Sequence, residues 1–440
     1  MLDRFFGEVM RKTMLNMTYA ELGDQEEWSE PESGITTDLK RTGEHEPITW
    51  DLIRTVEHSP ELKALLQESI RKAAAINPDR NTNPVYSLES YYAFIDRAAL
   101  ALPWAITPSE EYSDLYDRID QSMGCFYFIC DQPLEALADK GYYHNSLMYH
   151  EPFRSWLVRF TAEYGAFLNT EDSWCEAYYR QALRDHRFQL DGDLYESPEN
   201  WKTFNDFFAR RLRDPAKRPI EAPEDGKIVV SPADAVAQGI WEIDEHDRLV
   251  PAGEPGIPIK TGTLTCVSAL LAGSAYAHAF AGGRLTHTLL DVNDYHRYHF
   301  PVSGTVREVM ILPGDDATGG VIVWDPEAGR YKEYGSEELG WQSIETRGAV
   351  ILETDAGALA AVIPVGMCEV ASVNFEASVK PGARVKKGDP LGYFLFGGSD
   401  IIMIFSRDAG FTMTAEPGNH LNMGREYGRL ESEPLSPDQP

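Results

Sequence analysis

Apolar residues change their rhythm about halfway along the chain, and that change divides it. Up to about residue 200 they recur at helical spacing. Phe153, Trp156, Leu157, Phe160, Tyr164 and Phe167 lay one stripe along a helix. Leu62, Leu65, Leu66 and Ile70 predict another, and Thr107-Pro-Ser-Glu110 reads as a capping box with proline at the first helical position, so a helix is expected to begin there. Residues 20–48 are rich in Glu, Asp, Gly and Thr and predict a loop. Met1 to Tyr19 mixes Phe5, Phe6, Val9, Met10 and Met14 with Arg4, Arg11 and Lys12, an amphipathic pattern better explained by packing on its own protein than by contact with lipid.

Beyond about residue 220, short runs of Val, Ile and Thr alternate with Gly and Pro turns. Lys227 to Val230, Val306 to Leu312, Val321 to Trp324, Ala349 to Glu353, Ala360 to Val365 and Ile401 to Phe405 all predict strands. Ser303-Gly-Thr-Val306 followed by Leu312-Pro-Gly-Asp315 is similar to Val379-Lys-Pro-Gly382 followed by Val385-Lys-Lys-Gly-Asp389. Such glycine-punctuated hairpins resemble the swivelling β-sandwich of lipoyl and biotinyl carriers in architecture, without a carrier lysine at a hairpin tip. The expected class is α+β. A helical N-terminal extension over 1–200 precedes a mostly β catalytic domain over 201–440.

Length agrees with two structural units, because 440 residues exceed one ordinary core. With 70 acidic and 40 basic residues the net charge is −30, a field that opposes nucleic-acid phosphates and an anionic bilayer. No nucleic-acid partner and at most peripheral membrane contact are expected. Cys125, Cys130, Cys175, Cys266 and Cys368 form an odd set with no C-x-x-C pair, which suggests free thiols in a reducing compartment. Neither a signal-peptide run nor a membrane-spanning run is visible, so the expected location is the cytoplasm.

Three distant segments carry candidate chemistry. In Ser231-Pro-Ala-Asp234 a carboxylate follows a predicted strand, where it could fix a histidine tautomer, although a turn-capping aspartate explains it as well. Asp294-Tyr-His-Arg-Tyr-His299 holds two histidines that share one side in a loop or helical turn and take opposite sides in a regular strand. Zinc binding by His296 and His299 is a rival, but spacing places no third ligand, so no metal is expected. Phe396-Gly-Gly-Ser-Asp400 joins two apolar runs, and either a hairpin turn or a serine that attacks the carbonyl of Gly398 fits it.

The order of motifs decides between these readings. Thr203-Phe-Asn-Asp-Phe-Phe208, Arg218-Pro-Ile220, Ser231-Pro-Ala-Asp234, Asp294 to His299, Val365-Gly366 and Phe396-Gly-Gly-Ser399 resemble the phosphatidylserine decarboxylase family over about 200–410. The resemblance implies autocatalytic cleavage between Gly398 and Ser399. His299, oriented by Asp234, would take the Ser399 proton, and Ser399 would end as an N-terminal pyruvoyl group on the fragment 399–440. It further implies Schiff-base decarboxylation of an amine-bearing carboxylate without pyridoxal phosphate, with His296 protonating the α-carbon. Dimers are common in that family.

Two departures bear on this expectation. Ala235 stands where the family usually has glycine, and Asp400 stands where Thr or Ser is common after the serine. A carboxylate beside the developing oxyanion slows ester formation unless it is protonated or points away. The long acidic extension and Gly366-Met-Cys-Glu-Val370 resemble soluble fungal tryptophan decarboxylases, so a free aromatic amino acid is the alternative to the family's default, phosphatidylserine. Further alternatives are a serine hydrolase built on Asp234, His299 and Ser399, although G-x-S-x-G is absent, and an unprocessed, non-catalytic binding module.

Overall fold

Ser59 ends one helix and starts the next. It follows Pro47–His58, and its hydroxyl accepts from the amide of Leu62 (3.2 Å) in the first turn of Pro60–Ile76, whose first residue is a proline. The computed structural model describes residues 45–431 except 108–111, 113, 141–143, 251–256, 260–261, 265, 315–319, 335–340 and 368–371. The predicted amphipathic segment Met1 to Tyr19 and most of the 20–48 loop therefore lie outside the described residues, as does part of the predicted cap at Thr107 to Glu110. The next described helix, Leu115–Cys130, begins after Asp114 and not at that predicted cap.

Further helices span Leu88–Leu100 and Phe153–Leu168. The second carries the predicted stripe, with Phe153, Trp156, Leu157, Phe160 and Tyr164 buried and Phe167 packed at its margin. The Trp156 indole donates to the carbonyl of Ile48 (3.0 Å), which ties this helix to the first.

All six predicted strands form. Their largest assembly is a nine-stranded antiparallel sheet in the order Arg384–Val385, Gly304–Leu312, Arg347–Thr354, Leu359–Met367, Gly398–Phe405, Arg284–Leu290, Ala235–Ile243 and His420–Leu421, with Leu249–Val250 added beside Ala235–Ile243. The two halves of the predicted internal similarity meet at its edge, where Arg384 pairs with Thr305 and Val385 with Gly304. The chain is α+β, with helices first and antiparallel sheet after.

Helices and sheet share one apolar core, which continues across residue 200. A hairpin of Val321–Asp325 and Arg330–Tyr334 stands off the main sheet and grips the helices. Gln121 holds the backbone of Tyr331 at both its amide (2.6 Å) and its carbonyl (2.9 Å), while the Tyr331 hydroxyl donates to Thr82 (3.0 Å). Gly124 makes this approach feasible, because a Cβ there would lie 2.6 Å from the Tyr331 Cβ.

Candidate active site

Ser399 lies on the strand Gly398–Phe405, in the interior of the main sheet. It stands opposite Gly366 on one side and Leu290 on the other, and is 2% exposed. The preceding run, Pro390–Phe394, belongs to another sheet, where it pairs with Arg297–His299 and Val373–Phe375. Gly397 and Gly398 therefore carry the chain from one sheet to another. They do not close a hairpin, so the alternative left open by the sequence falls away. Gly397 has φ 143°, which disfavours any side chain there, and its carbonyl is 3.4 Å from the Ser399 hydroxyl. Phe396 is buried against Phe204 and Phe208, and its amide donates to Asn205 (3.0 Å).

The histidine segment meets this one along the smaller sheet. His299 pairs with Pro390, and the amide of Phe394 donates to the carbonyl of His296 (2.9 Å). Only His299 lies on the strand; His296 precedes it. His299 Nδ1 donates to the carbonyl of Gly388 (2.9 Å), so Nε2 is the accepting atom and takes the Tyr295 hydroxyl at 3.3 Å. Burial pushes the pKa of His299 below the usual histidine range.

His296 repeats the pattern in a drier place. It is 1% exposed, its Nδ1 donates to the carbonyl of Asp294 (3.0 Å), and its ring lies 3.9 Å from that of Phe208. Its Nε2 is buried without a hydrogen-bond partner among the described residues. Burial, reinforced by the Arg210 charge, pulls its pKa down to about 3, so the ring is neutral at pH 7. A neutral imidazole with its proton on Nδ1 offers a lone pair at Nε2.

Asp234 is held by an arginine and a backbone amide. Its carboxylate accepts from Arg218 Nε (3.0 and 3.1 Å) and Nη2 (2.6 Å), and from the amide of Met423 (2.7 Å). The direct bond to His299 implied by the resemblance is absent, because the guanidinium fork and a backbone amide take the carboxylate while Gly388 takes the imidazole. The two segments still touch: the amide of His299 donates to Pro232 (2.8 Å), and the Asp234 charge favours protonated His299 against the larger effect of burial.

Asp400 points away from the serine. Successive residues of a strand take opposite faces, and its carboxyl, fully buried, meets His287 Nδ1 (3.1 Å) and Gln342 Nε2 (2.8 Å). The concern that its charge would face the developing oxyanion is met by geometry. Breaking a buried pair leaves an uncompensated group, so His287→Leu, made in a Ser399→Ala chain to keep it in one piece, is expected to cost about 3–5 kcal/mol. Urea unfolding reads this as a lower midpoint; an unchanged midpoint would show that the pair carries no weight.

Sequence reasoning missed Arg218 as the partner of Asp234, and it missed His287, Tyr295 and Arg210. One signal was available, since Thr286, His287 and Thr288 interrupt an otherwise apolar run and all three are buried. A second link was not visible: His420 Nε2 donates to Asp294 (2.9 Å), which joins the C-terminal segment to the histidine loop.

A buried serine after two glycines and two neutral imidazoles thus lie on neighbouring segments, and the chain is one of a class of decarboxylases, which are lyases. The sequence model of the family described as phosphatidylserine decarboxylase matches residues 204–429, and this chain belongs to that family. It is 30% identical over 295 residues to the phosphatidylserine decarboxylase proenzyme of Shewanella amazonensis, covering 62% of this chain and 92% of that protein. It is 33% identical over 222 residues to phosphatidylserine decarboxylase proenzyme 2 of Oryza sativa subsp. japonica, covering 50% of this chain and 32% of that longer protein. A third relative is the decarboxylase iboD of Amanita muscaria, 26% identical over 295 residues, with 61% of this chain and 81% of that protein covered.

Proposed function

We propose that the chain cuts itself between Gly398 and Ser399, converts Ser399 into a pyruvoyl group, and then removes carbon dioxide from the serine head group of phosphatidylserine. The observation that carries this reading is the placement of Ser399, held in the sheet two residues after Gly397, whose φ of 143° disfavours any side chain. Membership of a family with proenzyme relatives supports it.

For the cut, His299 Nε2 is the base. The Tyr295 hydroxyl yields that nitrogen, and the Ser399 Oγ–H bond breaks with its proton passing to Nε2. Oγ then bonds to the Gly398 carbonyl carbon. The Gly398–Ser399 C–N bond breaks, the freed amine takes a proton from His299, and an ester links the two residues. Loss of the Ser399 α-proton expels the Gly398 carboxylate and leaves dehydroalanine. Water converts its amine-bearing carbon to a ketone with release of ammonia, which balances the sequence.

The residues present fit such a group. Once formed, the pyruvoyl ketone supplies an electron sink for a substrate amine. His296 presents an orphaned, buried Nε2 near the serine segment through the Phe208 and Phe396 rings. Neutral and bare at that atom, it first accepts a proton, as from a substrate ammonium, and then returns one to the α-carbon.

A hydrolase acting on an external ester is disfavoured by the burial of Ser399 and by backbone pairing on both sides of it. Free tryptophan is the weaker substrate, because the named relatives centre on phosphatidylserine. No helix among the described residues is long and apolar enough to cross a membrane. The test is carbon dioxide release from vesicles containing phosphatidylserine against free tryptophan, tyrosine, phenylalanine and serine. Release from vesicles at a rate at least about tenfold above each amino acid is expected; preference for a free aromatic amino acid would overturn the substrate assignment.

A further inference from the structure

Arg210 is the most deeply buried cation among the described residues, at 0% exposure, and it bonds to no carboxylate among them. Its Nη2 donates to the carbonyls of Asn293 (2.6 Å) and Asp294 (2.9 Å), with the Tyr195 hydroxyl at 3.4 Å. Its Nη1 reaches the carbonyls of Phe207 (3.5 Å) and Phe208 (3.4 Å) more weakly. A guanidinium taken out of water without a counter-charge is costly, and here backbone dipoles, the Tyr195 hydroxyl and the Phe188, Tyr195 and Phe207 rings compensate it. The two shortest bonds converge on the loop that carries His296.

We propose that Arg210 is a positioning residue for His296. By holding the Asn293 and Asp294 carbonyls it aims the Asp294 oxygen at His296 Nδ1, which fixes the proton there and leaves Nε2 as the bare acceptor. The Asp294 oxygen receives both N–H groups, from Arg210 at 2.9 Å and from His296 at 3.0 Å. Arg210 also sits just past the helix Phe204–Phe208, whose last residue packs its ring, tilted by 31°, against that of His296. One side chain thus touches both the imidazole's hydrogen-bond acceptor and the backbone of its ring neighbour. Without it the Asp294 residue keeps its bonds to Asp291 (2.9 Å) and His420 (2.9 Å), but its carbonyl loses the donor that aims it at His296, and the Nδ1–H and Nε2–H tautomers of a neutral imidazole approach each other. The consequence for catalysis rests on the assignment of His296 to proton handling in the proposed decarboxylation; the tautomer does not.

The experiment uses the full chain labelled with 15N at histidine, with the His296 signal assigned by its loss in His296→Gln. In the unprocessed Ser399→Ala chain, His296 is expected as the Nδ1–H tautomer, and an Nε2–H signal would overturn the proposal before any change at 210. Adding Arg210→Met is expected to give mixed tautomers. In the self-processed protein, Arg210→Met is expected to lower kcat ~10- to 100-fold, as a misplaced group does, with KM within about threefold. Arg210→Lys, which keeps a cation and donors, is expected to recover part of that loss. A folded Arg210→Met protein that keeps the Nδ1–H signal and its kcat shows a merely structural arginine and overturns the proposal. So does an Arg210→Lys protein no better than Arg210→Met. If Arg210→Met does not fold, the parent spectrum and the lysine variant still decide. Failure of the functional reading looks different: the parent chain stays uncut, or His296→Gln turns over like the parent, whatever the tautomer.

Discussion

Ser399→Ala is expected to leave one uncut chain with no decarboxylase activity, the largest effect any single substitution should have on this protein. In the proposed sequence the missing Oγ is both the nucleophile of the cut and the atom that departs with the Gly398 carboxylate when dehydroalanine forms, so neither half of the chemistry has a substitute. The fold should survive. The hydroxyl makes a 3.4 Å approach to the carbonyl of Gly397, and losing a weak hydrogen bond costs about 1 kcal/mol or less. Denaturing electrophoresis and a urea midpoint on the same preparation check both statements. Continued cleavage in this variant would move the processing site elsewhere.

His299→Gln is expected to slow the cut by about 10²- to 10⁴-fold, the usual weight of a positioned general base. Glutamine can still donate to Gly388, so the effect should not come from unfolding. The parent's pH dependence has a definite sign. Burial lowers the His299 pKa below its ordinary value near 6.5, so the ring is already a free base at neutral pH. Maturation should be level above about pH 6.5 and fall only as pH drops through the lowered pKa. Timed gels across pH measure it; a rate that falls on raising the pH through neutrality would assign the proton to another group.

Local rules made much of the fold legible. The Phe153 stripe and the Val-Ile runs carry their own periodicity, so the helix Phe153–Leu168 and the six strands could be read without knowing their neighbours. What pairs with what could not be read. Gly397 and Gly398 look like a hairpin locally, and only long-range pairing of Ser399 with Leu290 and Gly366 shows that they cross between sheets. The same limit governs the site. Asp234, His296, His299 and Ser399 stand out by residue type and order, whereas Arg218 and Arg210 act through partners 16 and more than 80 residues away. Those contacts exist only after folding, and they changed the chemistry: Asp234 serves an arginine and a backbone amide, and each histidine takes its tautomer from a carbonyl. Asp400, a liability in the linear sequence, became a buried partner of His287 once the pleat set its direction.

The placement of Ser399 also predicts how the cut protein behaves. The strand Gly398–Phe405 is paired along both sides, and Met423 and His420 bind Asp234 and Asp294, so the fragment 399–440 should stay in place when the covalent link is gone. Intact mass of the purified protein, before and after borohydride, therefore tests the central claim most directly. The expected result is one species under native conditions that separates on denaturation into 1–398 and 399–440, the smaller beginning with a blocked residue that borohydride reduces. A single full-length chain at neutral pH, unchanged by borohydride, would contradict it.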